Sequence, residues 1–580
     1  MIRRTAPLLG ALLLAVVVLG PALGPGYVLQ YDMVFVPRQW LLPASFGLGG
    51  QLPRAVPQDA VLGVLTAVLP GSVWQHLALL AIVVLGALGA ARLLREQPLV
   101  VRLAAALLLV WSPYVAQRLL LGSWSLLLAV ALLPWALQAA VDVRSGRPHA
   151  GWRLLLLVGL ASITPTGGLL VVLVVGPVAV GPRSRAALRQ RVILAAALVV
   201  LQLPWVLPSL LHPASSASDP AGAGVFALRS EGGWGPLLTA LGTGGIWNGE
   251  VVLPSRALAL APVASVLLAV LALLGLRPLS RVLGRAAVGW LAACAVAGLL
   301  VAVLGTWSPA RGLVEQVPGA GPALGVVRRA HPSEPAPHQV GHDGDGQQDQ
   351  RHAERRRDGR VLHPGQGAPQ PERGGEREQQ GPRRQPLLAV AQQSPARYRG
   401  HHLLESPAAE AGDVVVLPWS AFRAFTWNRR TTSLDPAPRF LPRTTVVDDS
   451  LLVAGADGLV RVSGEDPRSE VVATALRAGR PLAEVLPGLG VRYVVVEGGT
   501  PGEVPATALA GLERLGDDSS LALWKVVGGI APPPVPSTTS VVLVAASYLL
   551  AGLVLVTAGL GSAASARGRR RKPQPPATVR

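Results

Sequence analysis

From its N-terminus to Trp307 this chain repeats one unit: an apolar run of about twenty residues, then a short cluster of arginines. Such a run is long enough to cross a bilayer as an α-helix, and in hydrocarbon every backbone amide must find its partner within the segment. The runs are Ala6–Leu23, Val73–Leu94, Leu99–Tyr114, Trp124–Val141, Val192–Leu211, Arg256–Leu276 and Ala286–Trp307. Leu154–Val180 is too long for one span and breaks at Thr164-Pro165-Thr166-Gly167-Gly168, so it reads as two short helices meeting at a turn. Ser540–Leu560 is a last span, which makes ten, or twelve if the stretch before the C-terminal region hides two more.

The arginines assign the sides. Arg92 with Arg95, Arg144 with Arg147 and Arg153, Arg183–Arg191, and Arg277–Arg285 fall in alternate loops, which the positive-inside rule places in the cytoplasm. Both termini are then cytoplasmic and the protein is multi-pass in the plasma membrane. Loops 24–62 and 212–255 lie outside. The rule also accounts for the formal net charge of +19 without a nucleic acid partner. The only charges within Gly24–Leu62 are Asp32, Arg38, Arg54 and Asp59, and the two acids are the first in the chain. One cysteine, Cys294, in an apolar run leaves no disulfide framework and no thiolate metal site.

Four regions follow. Residues 1–324 are a multi-span membrane domain. Segment 325–411 changes character: Ala330–Ala411 holds seven of the chain's ten histidines and few large apolar residues. It reads as a disordered loop, or as a compensated frameshift whose intended frame encodes further spans, because GC-rich coding sequence read out of frame yields Arg, Gly, Pro, His and Gln. Residues 412–530 are a mixed module. DVVVLPW, RTTVVDDSLLV, VRYVVVEG and LALWKVV read as strands, and Ser469–Val485 as a helix. The fold class expected is therefore an α-helical polytopic membrane protein with a small extracytoplasmic α/β domain. Residues 531–580 form the final span and a basic tail.

Candidate chemistry gathers in the first outer loop. Asp32 follows the first span by about eight residues and should lie at the outer membrane surface, where a carboxylate can act as a general base or hold a divalent metal such as Mg or Mn. Arg38 has the planar fork that pairs with a phosphate. Tyr31 and Trp40 offer faces for a sugar, as do Trp247 and Asn248 in the second outer loop. The same residues also read structurally: Asp32 capping an interfacial helix, Arg38 on lipid head groups, and the aromatics as a membrane-interface belt. Asp59 is a second acid candidate, or a first-turn acid on a helix through Leu69. In the module, Trp419, Arg423, Trp427, Asn428, Arg429 and Arg430 could form a carbohydrate face, and Asp448 and Asp449 a solvated pair.

At the Asp32 loop the chain resembles the GT-C superfamily of integral-membrane glycosyltransferases, particularly actinobacterial envelope enzymes that use polyprenyl-phosphate sugars. The likeness rests on one acid in the first outer loop, many spans and a C-terminal extracytoplasmic module. The chain has a single Asp in YDMV where an acidic pair or a DxD would be expected. The resemblance implies a sugar transfer with inversion on the outer face, from a polyprenyl-phosphate-linked sugar to a cell-envelope glycan or glycolipid acceptor, with Asp32 as base and Arg38 on the leaving phosphate. The competing classes are a lipid or polysaccharide transporter and a non-catalytic envelope protein.

Overall fold

The computed structural model describes residues 2–181, 184–212, 227–306, 410–455, 458–462, 464, 466–518 and 521–570. Among them, seven helices are long and apolar enough to cross a membrane. They are Thr5–Leu23, which contains α1 (Ile2–Leu19), α3 (Gly71–Leu93), Leu99–Leu120, α6 (Trp124–Arg144), α12 (Leu260–Leu283), α13 (Arg285–Leu304) and the first part of α16 (Thr538–Arg570). Leu99–Leu120 is α4 (Leu99–Val110) joined through Trp111 and Ser112 to α5 (Pro113–Leu120). An eighth span counts the bent pair α9 (Leu188–Val200) and α10 (Leu203–Leu211), which meet at 52°. The stretch Leu154–Val180 does divide, into α7 (Ala150–Ala161) and α8 (Pro165–Val180). At 12 and 16 residues these are about 18 and 24 Å long, shorter than a bilayer's apolar core. The segment 330–411 lies outside the described residues, apart from its last two.

Helix α6 is the hub, with over half of its span buried. It packs beside α3 through small residues: a Cβ on Gly89 would stand 2.6 Å from the Trp135 indole nitrogen. Without a hydrophobic drive between helices in lipid, such close approach is what holds them together. The Trp135 indole donates to the Leu85 carbonyl at 2.9 Å. At the far end of α6, Asp142 is buried and salt-bridged to Arg147 at 2.8 Å and Arg153 at 3.3 Å. Arg144 donates to the Val178 carbonyl and Arg191 to the Val180 carbonyl, so arginine-rich turns share one end of the bundle.

The C-terminal module is a five-stranded sheet of order β4-β1-β7-β9-β8. Its strands are β1 (Asp413–Leu417), β4 (Thr445–Val446), β7 (Val491–Glu497), β8 (Leu512–Asp518) and β9 (Leu521–Val526). β4, β1 and β7 run parallel, and β9 and β8 antiparallel. Runs such as DVVVL and RYVVV suit central strands covered on both faces. One face packs under Phe440 and Leu441, at the end of the short helix α14 (Ala437–Phe440). The other packs under Val472 and Ala475 of α15 (Pro467–Arg477). Asp466 caps α15 by accepting from the Arg468 amide at 3.0 Å, with Pro467 in the first turn. The helix stops at Arg477 rather than continuing to Val485, because Gly479 turns the chain at φ +65. Small two-stranded sheets join β2 (Phe422–Arg423) to β3 (Ser433–Leu434), and β5 (Leu451–Gly455) to β6 (Gly458–Val462).

Arg423 belongs to the module's buried polar centre rather than to an open carbohydrate face. It bridges Asp435 at 2.8 Å and Glu497 at 2.5 Å, with all three side chains at most 3% exposed. Burial pushes the Asp435 carboxyl up, and the Arg423 charge pulls against it. Arg423→Leu strands two carboxylates without their counter-ion. The expected loss is about 3–5 kcal/mol, read as protease sensitivity of the module in protein that still inserts into membranes.

Candidate functional site

Asp32 sits on a tight turn, Gln30–Met33, in which the Met33 amide donates to the Gln30 carbonyl at 2.9 Å. Three separate parts of the chain hold that turn. From α3, the Gln75 amide group clamps Val28, donating to its carbonyl at 2.7 Å and accepting from its N–H at 2.9 Å. From the α5–α6 corner, the Leu121 carbonyl accepts from the Asp32 N–H at 3.1 Å. Gly122 packs so closely there, at φ +80, that a Cβ would lie 2.2 Å from the Met33 nitrogen. From the sheet module, Thr432 and Leu434 pair with the backbone of Tyr31 at 2.7 and 2.9 Å, and Asn428 donates to the Leu29 carbonyl at 2.9 Å. Tyr31 itself is held at φ 45, a conformation that a bulky residue seldom adopts without being fixed from both sides.

The side chain of Asp32 is accessible to solvent, yet it lies where protein replaces most of the surrounding water. Desolvation pushes its pKa up to about 6, against the opposing pull of Arg439, Arg118 and Arg54. The site is thus one exposed carboxylate that feels the charge of three guanidinium groups.

Tyr31 forms the next wall. Its hydroxyl donates to the Glu250 carboxylate, and burial together with that bond pushes its pKa up to about 12. Asn248 fixes Glu250 by accepting its amide at 2.9 Å, and also reaches Tyr31. Trp247 packs with Tyr31 on a small apolar cluster of Leu121, Ile246 and Val251. Loop 212–255 is anchored below this, within its described part, by a buried ion pair next to its end, Arg256 to Glu231 at 2.7 Å, and Gln117 of α5 donates to Glu231 at 2.7 Å. Arg256 therefore precedes its span as an anchor.

The structure thus brings Tyr31, Asp32, Trp247 and Asn248 together. It sets Arg38 apart, exposed and stacked 4.5 Å over the Trp40 ring. Asp59 lies in the first turn of α2 (Gln58–Thr66), which ends three residues before Leu69, and pairs with Arg439 at 3.2 Å. Since Arg439 also acts on Asp32, the two acids share a cation from the module. Trp427 and Asn428 dock the module onto the loop instead of facing outward, while Arg429 and Arg430 are exposed. Asp448 and Asp449 are not merely solvated: Asp448 accepts from Ser450, and Asp449 from the Asp466 amide at 2.8 Å.

Sequence reading pointed to Glu250 in the same loop as Trp247 and Asn248, but missed Arg439 and Arg118 as neighbours of the site. Arg118 lies on the last turn of α5, not in a loop, and its guanidinium stands 5.7 Å over the Tyr114 ring. Its signal was its place, a lone arginine on the side that the positive-inside rule leaves poor in them. Among the described residues, no group of three or more His, Cys, Asp or Glu converges. A lone carboxylate under the pull of three guanidiniums does not fit Mg or Mn, which take several oxygen ligands.

Fold and site together define an α-helical protein with several membrane-length helices, an α/β module on one end, and a desolvated carboxylate where the two meet. No protein-family profile, curated protein or solved structure matches the chain.

Two outcomes follow from this geometry. Gly122→Ala pushes a methyl into the Gln30–Met33 turn and should disturb Asp32 without changing any charge, seen as altered protease cleavage in loop 24–62. A folded-state pKa raised from 3.8 to about 6 means that ionising Asp32 weakens the fold. Its contribution is fully present below about pH 4 and lost as pH rises through about 6. Asp32→Asn should therefore match or exceed the native chain in thermal stability at pH 7, with the difference shrinking below pH 4.

Proposed function

We propose that this chain is a membrane glycosyltransferase of GT-C type, transferring a sugar from a polyprenyl-phosphate donor to a cell-envelope acceptor at the outer face of the plasma membrane. The observation that carries the reading is Asp32, a carboxylate whose pKa desolvation raises to about 6 against the pull of three arginines. A base poised near the working pH is suited to take a proton from an acceptor hydroxyl. The acceptor oxygen then bonds to the anomeric carbon as the carbon–oxygen bond to the phosphate breaks. The electron pair leaves with the lipid phosphate, and the configuration inverts. In this reading Arg118 and Arg54, whose charges reach Asp32, meet the phosphate's charge, while Arg439, tied to Asp59, tunes Asp32. Arg38, stacked on Trp40, is left for the incoming lipid head group.

The orientation rests on the two ends of α6. Its start abuts Gly122 and the Asp32 turn, and its last turn carries Arg144, about 30 Å away along a 21-residue helix. With the arginine end cytoplasmic, the Asp32 site and the module are outside, and the last span returns the C-terminus inside. In a Cys294→Ala background, a thiol introduced at exposed Thr507 should be labelled by an impermeant reagent applied outside, and one at Ser145 should not. The reverse pattern overturns the orientation.

The test of activity is transfer from a defined polyprenyl-phosphate sugar by purified protein in nanodiscs. Because the base acts ionised, the rate should rise with pH through about 6. Asp32→Asn should lower transfer by roughly a hundredfold or more. Arg439→Gln removes a cation that lowers the Asp32 pKa, so the inflection should move upward. Equal, mild effects of Asp32→Asn and Asp59→Asn would make the loop structural and return the chain to the scaffold class. Movement of the lipid-linked sugar without transfer would make it a transporter.

A further inference from the structure

A cavity of about 440 Å³ lies in the sheet module, apart from Asp32. Its walls come from the carboxyl ends of the parallel strands. Leu417–Ser420 continue β1, Asp448 and Ser450 follow β4, and Gly502–Pro505 follow β7. This is where open parallel sheets generally hold ligands. Helix α15 closes the side. It starts at the amino end of β1, where Arg468 bonds Asp413 at 2.7 Å, and its last turn contributes Leu476 and Arg477 to the cavity.

The lining selects a chemistry. Trp419 supplies an aromatic wall, and its indole N–H is buried without a partner among the described residues. Asp448 is fixed in direction by accepting from the Ser450 amide at 3.0 Å and hydroxyl at 2.7 Å. Ser420 and the exposed Glu503 add further polar atoms. Phosphate is disfavoured. The one cation, Arg477, is already committed to Glu470, two carboxylates oppose it, and α15 presents its C-terminal, negative end. An aromatic face, carboxylate acceptors and hydroxyls suit a ligand with an apolar face and a rim of hydroxyls.

We propose that this cavity binds a neutral saccharide unit. Ser420 leads along the chain into β2, where the Phe422 ring meets Tyr31 edge-on at 6.3 Å. One short strand therefore connects the cavity to the residue beside Asp32. In the transfer reaction the cavity holds the acceptor glycan away from its reacting end. That role rests on the glycosyltransferase reading, whereas the saccharide binding does not.

The test uses the full chain in nanodiscs and saturation-transfer NMR with neutral hexasaccharides of glucose, mannose, galactose and arabinose, and with pyrophosphate. At least one hexasaccharide should bind. Trp419→Ala should weaken it roughly tenfold or more, and Glu503→Gln, at an exposed position that does not endanger folding, should weaken it as well. Asp32→Asn should leave binding unchanged. Absence of binding by every hexasaccharide, binding indifferent to both cavity variants, or pyrophosphate in the saccharide's place each overturns the proposal. Saccharide binding that obeys these variants, alongside transfer indifferent to Asp32→Asn, would sustain the cavity and sink the transferase reading.

Discussion

The backbone bridge from Tyr31 to Thr432 and to β3 (Ser433–Leu434) is the contact on which the site depends. It joins loop 24–62, by one isolated parallel bridge from Tyr31 to Ser433, to the module's small β2–β3 sheet and so welds two regions far apart in the chain. Asn428, reaching the Leu29 carbonyl across 399 residues, repeats the bond one step earlier. An irregular loop at a membrane surface needs partners for its amides, and here the module supplies them. The module's position and the conformation of the Asp32 turn are therefore one fact. Neither the turn nor the arginine it meets, Arg439, is set by the bundle alone.

That weld has an electrostatic consequence. Packing three segments around Asp32 removes water from it, and the arginines that arrive with those segments restore part of what is lost. The balance leaves the carboxylate less stable as an ion than it is in water. This is a local violation of the rule that charges are kept solvated or paired. Elsewhere the protein obeys that rule closely, as at Arg423 with its two carboxylates and at Arg256 with Glu231. Pairing is complete where the role is structural and incomplete at Asp32, and perturbed groups of this kind mark working sites more often than scaffolding.

Much of the bundle was legible because lipid permits few alternatives. Apolar length and the arginine-marked turns fix where helices run, and DVVVL and VRYVVVE announce buried strands. Breaks were legible too, at Thr164–Gly168, and the bend at Leu201–Gln202 carries the same kind of mark, since Pro204 in the first turn of α10 cannot donate back to the end of α9. Asp32 could be singled out from its place just after the first span. Its partners could not. Arg38 is near in sequence, but the buried run Met33–Val36 leads the chain away from the turn, and each extended residue carries it about 3.3 Å farther. Arg439 lies 380 residues beyond Asp59, and no periodicity carries information over such a distance. The short helices α7 and α8 show the limit from the other side, because apolar composition marks them as helical without requiring that either one cross the membrane.

The interior of the bundle explains why the chemistry is at its end. A buried polar knot joins the two breaks: Gln202, at the α9–α10 bend, donates to Ser162 at 3.0 Å and to the Leu198 carbonyl, and accepts from Trp205 at 3.1 Å. A Cβ on Gly168 would lie 2.4 Å from its side-chain oxygen, so α8 seals it. Broken helices that carry ions or substrates leave backbone or side-chain groups open to a cavity. Here those of Gln202 are spent on neighbours, as a polar group in hydrocarbon must be when its task is to hold a bend. With the polar atoms of Gln202 used internally, the bundle serves there as a platform. The less completely paired Asp32 lies instead where the bundle and the α/β module meet.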